Sequence, residues 1–536
     1  MHQPQTRGAH HSRVTVSSKE NSLLKKLSYI VLGLILCSGN VFSQTATQPD
    51  SLAYSLGFST YLWHTDKYAA GFDICTDNEG NIYISGNTRD KNFPATEGAY
   101  QTEIKGEADA FFAKFTPEGE LVFASLIGGT KREHHTGLTV DDEGFIYMIG
   151  GTHSSDFPVT PGAYDTSFNG EGQWAGDVYV TKIDPSGSEI VFSTFIGGEV
   201  AETVSSDGIQ IDSKGNIIIA GTTSSKDFPA TDGVIDKEYA ESDCFIAKFS
   251  PEGDRLLFST SVGGSKMEMI SCVAVDDADN IYVTGFTVAD DLPVTDNAVR
   301  KTIIMPQVGG FADGIDHFVA KINATGTELL YLSYLGAGGH MPSTISWASP
   351  NRLLVCGSTK EEGFPITETA FSKEIKGDRD CYITVFNSDD MTLEYSTVFG
   401  GSEADHIMSA YFLDDETIFI GGKTNSPDFP LTEDALLSEY PEWEKSFSST
   451  FFGRRKAFAS VIDINNSKLV YSTYLGACFQ ARSCTDKAGN TIFIAEAGQR
   501  GESGMTGFPV SDKAFREPPT YLMMGRMVKN LDQEKQ

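Results

Sequence analysis

Phe192–Gly198 reads FSTFIGG, and the phrase returns as FSTYLW from Phe58, FASLIGG from Phe123, FSTSVGG from Phe258, YLSYLGAGG from Tyr331, YSTVFGG from Tyr395 and YSTYLGA from Tyr471. A second phrase, F-P-x-T, keeps nearly in step with it, at Phe93, Phe157, Phe228, Leu292 (LPVT), Phe364, Phe429 and Phe508 (FPVS). Successive copies lie about 64 to 79 residues apart. Self-similarity at such a period is the mark of a repeat architecture, whose units bury their apolar faces against their neighbours.

Two further runs complete each unit. One is a hairpin such as DNEGNIYISG (Asp77–Gly86), DSKGNIIIAG (Asp212–Gly221) or DDADNIYVTG (Asp276–Gly285). The other follows F-P-x-T: DAFFAKF from Asp109, DVYVTKI from Asp177, DCFIAKF from Asp243, DHFVAKI from Asp316, DCYITVF from Asp380 and KAFASVI from Lys456. Each unit thus offers four short runs of aromatic and β-branched residues, punctuated by Gly, Asp, Asn and Pro. No amphipathic helix of twelve or more residues interrupts them. The pattern predicts an all-β fold, a seven-bladed β-propeller with four strands per blade, lettered a to d from the axis outward. An unpartnered strand d at Leu56–Leu62 opens the series. The last unit offers strands near Ser483–Asp486, Thr491–Ala495 and Tyr521–Val528. The N-terminal strand is therefore expected to complete the last blade and close the ring, which removes two open sheet edges.

These phrases resemble the bacterial seven-bladed β-propeller repeat family, most closely at Ser259–Gly264, Ala274–Gly285 and Phe157–Tyr164, with the likeness spanning roughly residues 54 to 528. The resemblance implies a secreted or surface-associated propeller and brings no shared catalytic residues with it. The fifth unit departs from the pattern at Trp347 and Ala348, and the last has Ser511 in place of Thr.

Lys25 and Lys26 precede an apolar run from Leu27 to Leu36, and Ser43 stands before Gln44. This three-part layout predicts an N-terminal extension plus signal peptide over 1–43, and a single propeller domain over 44–536. Leu36 stands where a lipobox ahead of Cys37 wants a small residue. Export to the periplasm, the cell surface or the medium is expected, with no transmembrane segment. The chain carries 41 Lys and Arg against 73 Asp and Glu, a net charge of −32. Loss of 1–43 removes five basic residues and one acidic one, which leaves −36. Such a surface repels nucleic acid and attracts cations.

The cysteines form no CxxC pair, which argues against a zinc or thioredoxin-type site. Cys356 ends strand b of the fifth unit and Cys381 begins its strand c, so an antiparallel pair brings them near enough to consider a disulfide, against a reading as two buried free thiols. The Asp-x-x-Gly-Asn phrases at Asp77, Asp212 and Asp486 suit tight hairpins better than calcium loops. The Thr of F-P-x-T reads as an N-cap on a short helical turn.

An acid recurs four residues after the second glycine of the first phrase, at Glu133, Glu202, Glu268 and Asp405, with His134, His135, His340 and His406 in the same connections. By propeller geometry these d-to-a connections share a face with the long b-to-c connections. The acids and imidazoles could bind a sugar or a divalent cation such as Ca²⁺, or be solvated loop polarity copied from unit to unit. No nucleophile elbow, HExxH, phosphate loop or dinucleotide fingerprint is present. The leading reading is a monomeric, non-catalytic binding scaffold for a glycan or protein, with Ca²⁺ as a candidate cofactor. The alternatives are a polysaccharide hydrolase or lyase with a site at the channel mouth, and a purely structural envelope component.

Overall fold

The computed structural model describes residues 54–61, 69–170, 176–239, 242–303, 315–337, 343–360, 363–439, 455–478, 480–496 and 522–529. The chain divides into two units, Met1–Thr47 and Gln48–Gln536, and every described residue belongs to the second. The expected signal peptide and the FPVS phrase lie outside the described residues. Among those described there is no α-helix, and no helix long and apolar enough to cross a membrane.

After β1 (Tyr54–Tyr61) the strands come in fours. The first sheet holds β2 (Ala69–Thr76), β3 (Ile82–Thr88), β4 (Asp109–Phe115) and β5 (Leu121–Ile127). The second holds β6 (Glu133–Val140), β7 (Ile146–Thr152), β8 (Asp177–Ile183) and β9 (Ile190–Ile196). The third holds β10 (Glu202–Ile211), β11 (Ile217–Thr223), β12 (Asp243–Phe249) and β13 (Leu256–Ser261). The fourth holds β14 (Glu268–Val275), β15 (Ile281–Thr287), β16 (Asp316–Ile322) and β17 (Leu329–Ala337). The fifth holds β18 (Thr344–Ala348), β19 (Arg352–Thr359), β20 (Asp380–Asn387) and β21 (Leu393–Phe399). The sixth holds β22 (Asp405–Phe412), β23 (Thr417–Thr424), β24 (Arg455–Asp463) and β25 (Lys468–Cys478). In the last, β26 (Gln480–Thr485), β27 (Thr491–Glu496) and β28 (Leu522–Lys529) are joined by β1, with Tyr54 opposite Lys529.

Neighbours within each group are antiparallel and follow chain order; one parallel pair, Asp207 with Cys272, links the third group to the fourth. The first strands touch in the order β2, β6, β10, β14, β18, β22, β26, and β26 in turn touches β2. The second strands are almost wholly buried, and β3 (IYISGNT) and β11 (IIIAGTT) are buried along their whole length. The core lies between sheets: Ile84, Phe111 and Phe115 of the first pack with Ile492, Ile494 and Met524 of the last.

The two sequence phrases prove to be halves of one contact. Thr96 donates its backbone N–H to the Ala124 carbonyl at 2.9 Å, and the Ala124 N–H returns to the Thr96 hydroxyl at 3.2 Å. Thr160 with Ser193 and Thr432 with Ser472 repeat this. The expected helical N-cap is therefore corrected: the hydroxyl is taken by the outermost strand, and no helix follows it. The Asp-Gly-Asn phrases are structural. The Asp212 carboxylate accepts the Asn216 N–H and side-chain amide at 2.9 and 2.7 Å, and Lys248 lies 2.7 Å away. Burial alone would raise this acid, but the lysine and asparagine donors outweigh burial and hold it below the usual range.

The proposed Cys356–Cys381 disulfide is not formed. Cys356 faces Ile383 and Cys381 faces Ser358, so the two cysteines are diagonal neighbours. Diagonal cross-strand residues stand about 7–8 Å apart, beyond the usual Cα reach of a disulfide. Both thiols are free and buried, and burial pushes each well up. Alkylation of the denatured, unreduced protein is expected to label both; a mass deficit of two protons with neither labelled would show the bond instead.

Candidate functional site

Glu133, Glu202, Glu268 and Asp405 are the first residues of β6, β10, β14 and β22, and each is 0% exposed. Their expected place in solvated connections is corrected by this burial: each turns into the seam between its own sheet and the preceding one. Thr152 donates its hydroxyl to Glu133 Oε1 at 2.8 Å, Thr223 to Glu202 at 2.8 Å, and Thr287 to Glu268 at 2.6 Å. Asp405 accepts the Gly401 N–H at 2.7 Å and the Ser426 hydroxyl at 3.0 Å. Across the seams stand Asp109, Asp177, Asp243 and Asp380, each the first residue of the preceding sheet's third strand.

The first glycine of the Gly-Gly phrase owes its identity to these pairs. A Cβ on Gly128 would sit 2.5 Å from Glu133 Oε2 and 2.7 Å from Asp109 Cγ. Burial pushes Glu133, Glu202, Glu268 and Asp405 up to about 7, against the pull of their hydroxyl donors; the facing aspartate adds a smaller push in the same direction.

The histidines are also structural neighbours of the seams. His134 is buried with its ring 5.2 Å from that of His153. His406 is buried on β22, with Nδ1 3.1 Å from the Ser358 hydroxyl of the fifth sheet. His135 lies within β6, and His340 lies outside the described residues. His317, which the sequence reading missed, is buried with Nδ1 2.9 Å from the Tyr382 hydroxyl of the next sheet. The named acids and imidazoles are thus spread over separate seams rather than gathered in one pocket. Among the described residues no group of three or more His, Cys, Asp or Glu is placed to hold a metal ion.

Other acids near these connections are exposed. Asp156, Asp227, Asp291 and Asp428 stand at the surface just before the F-P or L-P step. They accept the N–H of Thr130 at 2.9 Å, Glu199 at 3.1 Å, Ser265 at 2.9 Å and Ser402 at 2.8 Å from the preceding sheet's outgoing connection. Those N–H donors hold Asp156, Asp291 and Asp428 below the usual carboxylate range. An acid directly ahead of F-P was the available signal for them.

A second charged group joins the innermost strands. In β10 four residues, Ser205–Gly208, stand opposite Ala220 alone, and this bulge carries Asp207 to Arg482 of β26. The Arg482 guanidinium also donates to the Met408 carbonyl of β22 at 3.0 Å. Asp73 of β2, which accepts the Leu138 and Ile74 N–H groups at 2.8 Å each, feels both charges. Burial first, then Asp207, pushes Asp73 well up. Sequence reading missed this cluster. Its one signal was spacing: ten residues separate Glu202 from Asp212, where eight separate Glu133 from Asp141 and Glu268 from Asp276.

No family model matches the chain, and no curated protein matches it. Among solved structures it is similar to a protein of unknown function from Dyadobacter fermentans, with 12% identity, 70% of this chain and 96% of that one covered, and a TM-score of 0.39. It is also similar to the Neurospora crassa Pan2 WD40 domain, with 11% identity, coverage of 83% and 93%, and a TM-score of 0.42. A third is the polysaccharide lyase Uly1, with 10% identity, coverage of 88% and 92%, and a TM-score of 0.42.

Proposed function

We propose that residues 44–536 form a closed seven-bladed β-propeller, exported by the segment 1–43, that acts as a monomeric, non-catalytic binding scaffold for a glycan or a protein. The cyclic order of contacts among the first strands supports the ring, and the pairing of β1 with β28 supports its closure. The observation that carries the functional reading is the fate of the recurrent acids. Glu133, Glu202, Glu268 and Asp405 are spent inside seams, while Asp156, Asp227, Asp291 and Asp428 are among the acids exposed in and beside the same connections. Spread over several sheets, these carboxylates suit an extended or multivalent ligand, with Ca²⁺ as a bridging ion.

A second reading, a polysaccharide lyase, draws on the near-neutral carboxylates, which would suit general acid–base work. Repetition of that environment at four separate seams favours a structural role for it.

Thermal unfolding of the full chain against a glycan panel, with Ca²⁺ and with chelator, tests the proposal. A ligand held by the native state raises the midpoint by mass action. We expect a rise that is lost when Asp156, Asp227, Asp291 and Asp428 are all changed to Asn. No rise with any glycan, together with release of unsaturated uronate ends from a polysaccharide, would replace the scaffold reading with the lyase.

A further inference from the structure

The four acid pairs have a chemistry that the binding role does not use. In three of the pairs the aspartate is held by a set of backbone or amide donors. Asp109 accepts the Gln101 amide at 2.6 Å and the N–H groups of Lys105 and Gly106 at 2.9 and 3.1 Å. Asp177 accepts the N–H groups of Asn169 and Gly170 at 2.8 and 2.7 Å, and Asp380 those of Lys376 and Gly377 at 2.9 and 3.1 Å. Such donors favour the ionised form; burial outweighs them and still raises Asp109, Asp177 and Asp380, Asp177 to about 6, which is below the opposing Glu202. On the opposing acid one oxygen is left over: Glu133 Oε2, Glu202 Oε2, Glu268 Oε2 and Asp405 Oδ1 are buried without a hydrogen-bond partner. A buried carboxylate oxygen in that position is costly unless it carries a proton and donates it.

In three of the seams, at Gly128, Gly197 and Gly400, the space is also shared and closed. One added methyl at Gly197 would strike Asp177 Oδ1 at 2.5 Å and Glu202 Oε2 at 2.7 Å, and one at Gly400 would strike Asp380 Cγ at 2.6 Å and Asp405 Oδ2 at 2.7 Å. Packing this tight favours a proton over a hydrated cation.

We propose that these four seams are each closed by a carboxyl–carboxylate pair sharing one proton, and that loss of those protons loosens the sheets from one another. The donor is Glu133, Glu202, Glu268 or Asp405, and the acceptor is Asp109, Asp177, Asp243 or Asp380. Like charges brought together in a dry seam do not both ionise readily.

The other titratable groups around each pair are few. Tyr179 faces Glu133, and Lys105 and Arg132 flank that seam. Asp165 adds to the field at Asp177. Cys244 and Asp291 neighbour Glu268, while Cys381, Asp428 and Lys376 neighbour the Asp405 pair. His134 and His406 adjoin Glu133 and Asp405 in sequence. Phenol and thiol remain neutral near pH 7.

The sign follows from linkage. The donor acids are raised in the folded chain, from an ordinary 4.5 for Glu or 3.8 for Asp to about 7. The folded state therefore binds more protons than the unfolded state between those limits. Stability is full below the unfolded value, falls as pH rises toward 7, and levels off above it.

The test is the thermal midpoint of the full chain from about pH 5.5 to about pH 8.5, beside a variant carrying Glu133→Gln, Glu202→Gln, Glu268→Gln and Asp405→Asn. The wild type is expected to lose on the order of 5 °C across that range, and the variant, whose amides donate permanently, to lose little. A wild type with a flat profile, or a variant with the wild-type slope, would overturn the proposal. If the variant does not fold, infrared difference spectra of the wild type decide: a buried protonated carboxyl band present at the lower pH and lost at the higher one supports the shared protons, and its absence at both refutes them.

Discussion

Replacing Arg482 with Met is expected to cost about 3–5 kcal/mol of stability, the usual penalty for stripping the partner from a buried charge. The Arg482 and Asp207 side chains are only 11% and 24% exposed, and Asp73 is buried beside them. Removing the guanidinium leaves two carboxylates together among the innermost strands, and the deficit should grow with pH as the raised Asp73 is forced to ionise. The pair itself is not expected to be worth that much. Arg482→Met combined with Asp207→Asn should recover most of the loss, because a neutral cluster needs no counter-charge. Urea unfolding of the three proteins measures this; a single variant as stable as the wild type would show that the cross-strand pair holds nothing.

Gly253→Ala is the second large effect. Gly253 turns the hairpin between β12 and β13 at a φ of +67°, and a Cβ there would lie 2.3 Å from Phe192 Cδ2 in the second sheet. The left-handed backbone costs an L-residue about 1–2 kcal/mol, and forcing the buried ring aside adds about 1–3 kcal/mol. Gly233 is the built-in control, with a φ of +81° and nothing within 4 Å of its would-be Cβ. Gly233→Ala should show the backbone part alone. Equal losses from the two substitutions would mean that the hairpin gives way and the Phe192 contact is slack.

The strand order was legible because each phrase has a fixed mechanical job. Y-S-T and F-P-x-T recur together since Thr160 and Ser193 bond each other, and Asp-Gly-Asn recurs since Asp212 binds its own turn. The acids were legible as recurrent, yet their burial was not. A period of one unit locates Glu133 after Gly-Gly but does not say whether the strand begins before or after it. The signal lay in the glycine, since a residue chosen for lacking a Cβ points to something pressed against it. Of the two readings left open for Cys356 and Cys381, the structure has the free thiols: the pair misses by one diagonal step in register, which spacing along the chain does not encode. Arg482 and Asp207 were hard to see for another reason: the repeat pattern averages over units, and a group assembled once from different sheets shows only as the longer spacing between Glu202 and Asp212.

The pairing of β1 with β28, Tyr54 opposite Lys529, sets the timetable of folding as well as the final architecture. During synthesis the earlier sheets can form as their residues emerge, whereas the last must wait for a strand encoded at the far end of the chain. Contacts of such long sequence separation are slow to form. Until β28 arrives, β1 is an unpaired edge, open to any strand that meets it. The growing polypeptide is therefore most vulnerable to mispairing early, and a chain cut short anywhere before Leu522 is left with β1 unsatisfied, a ready mark by which quality control can tell unfinished copies from finished ones.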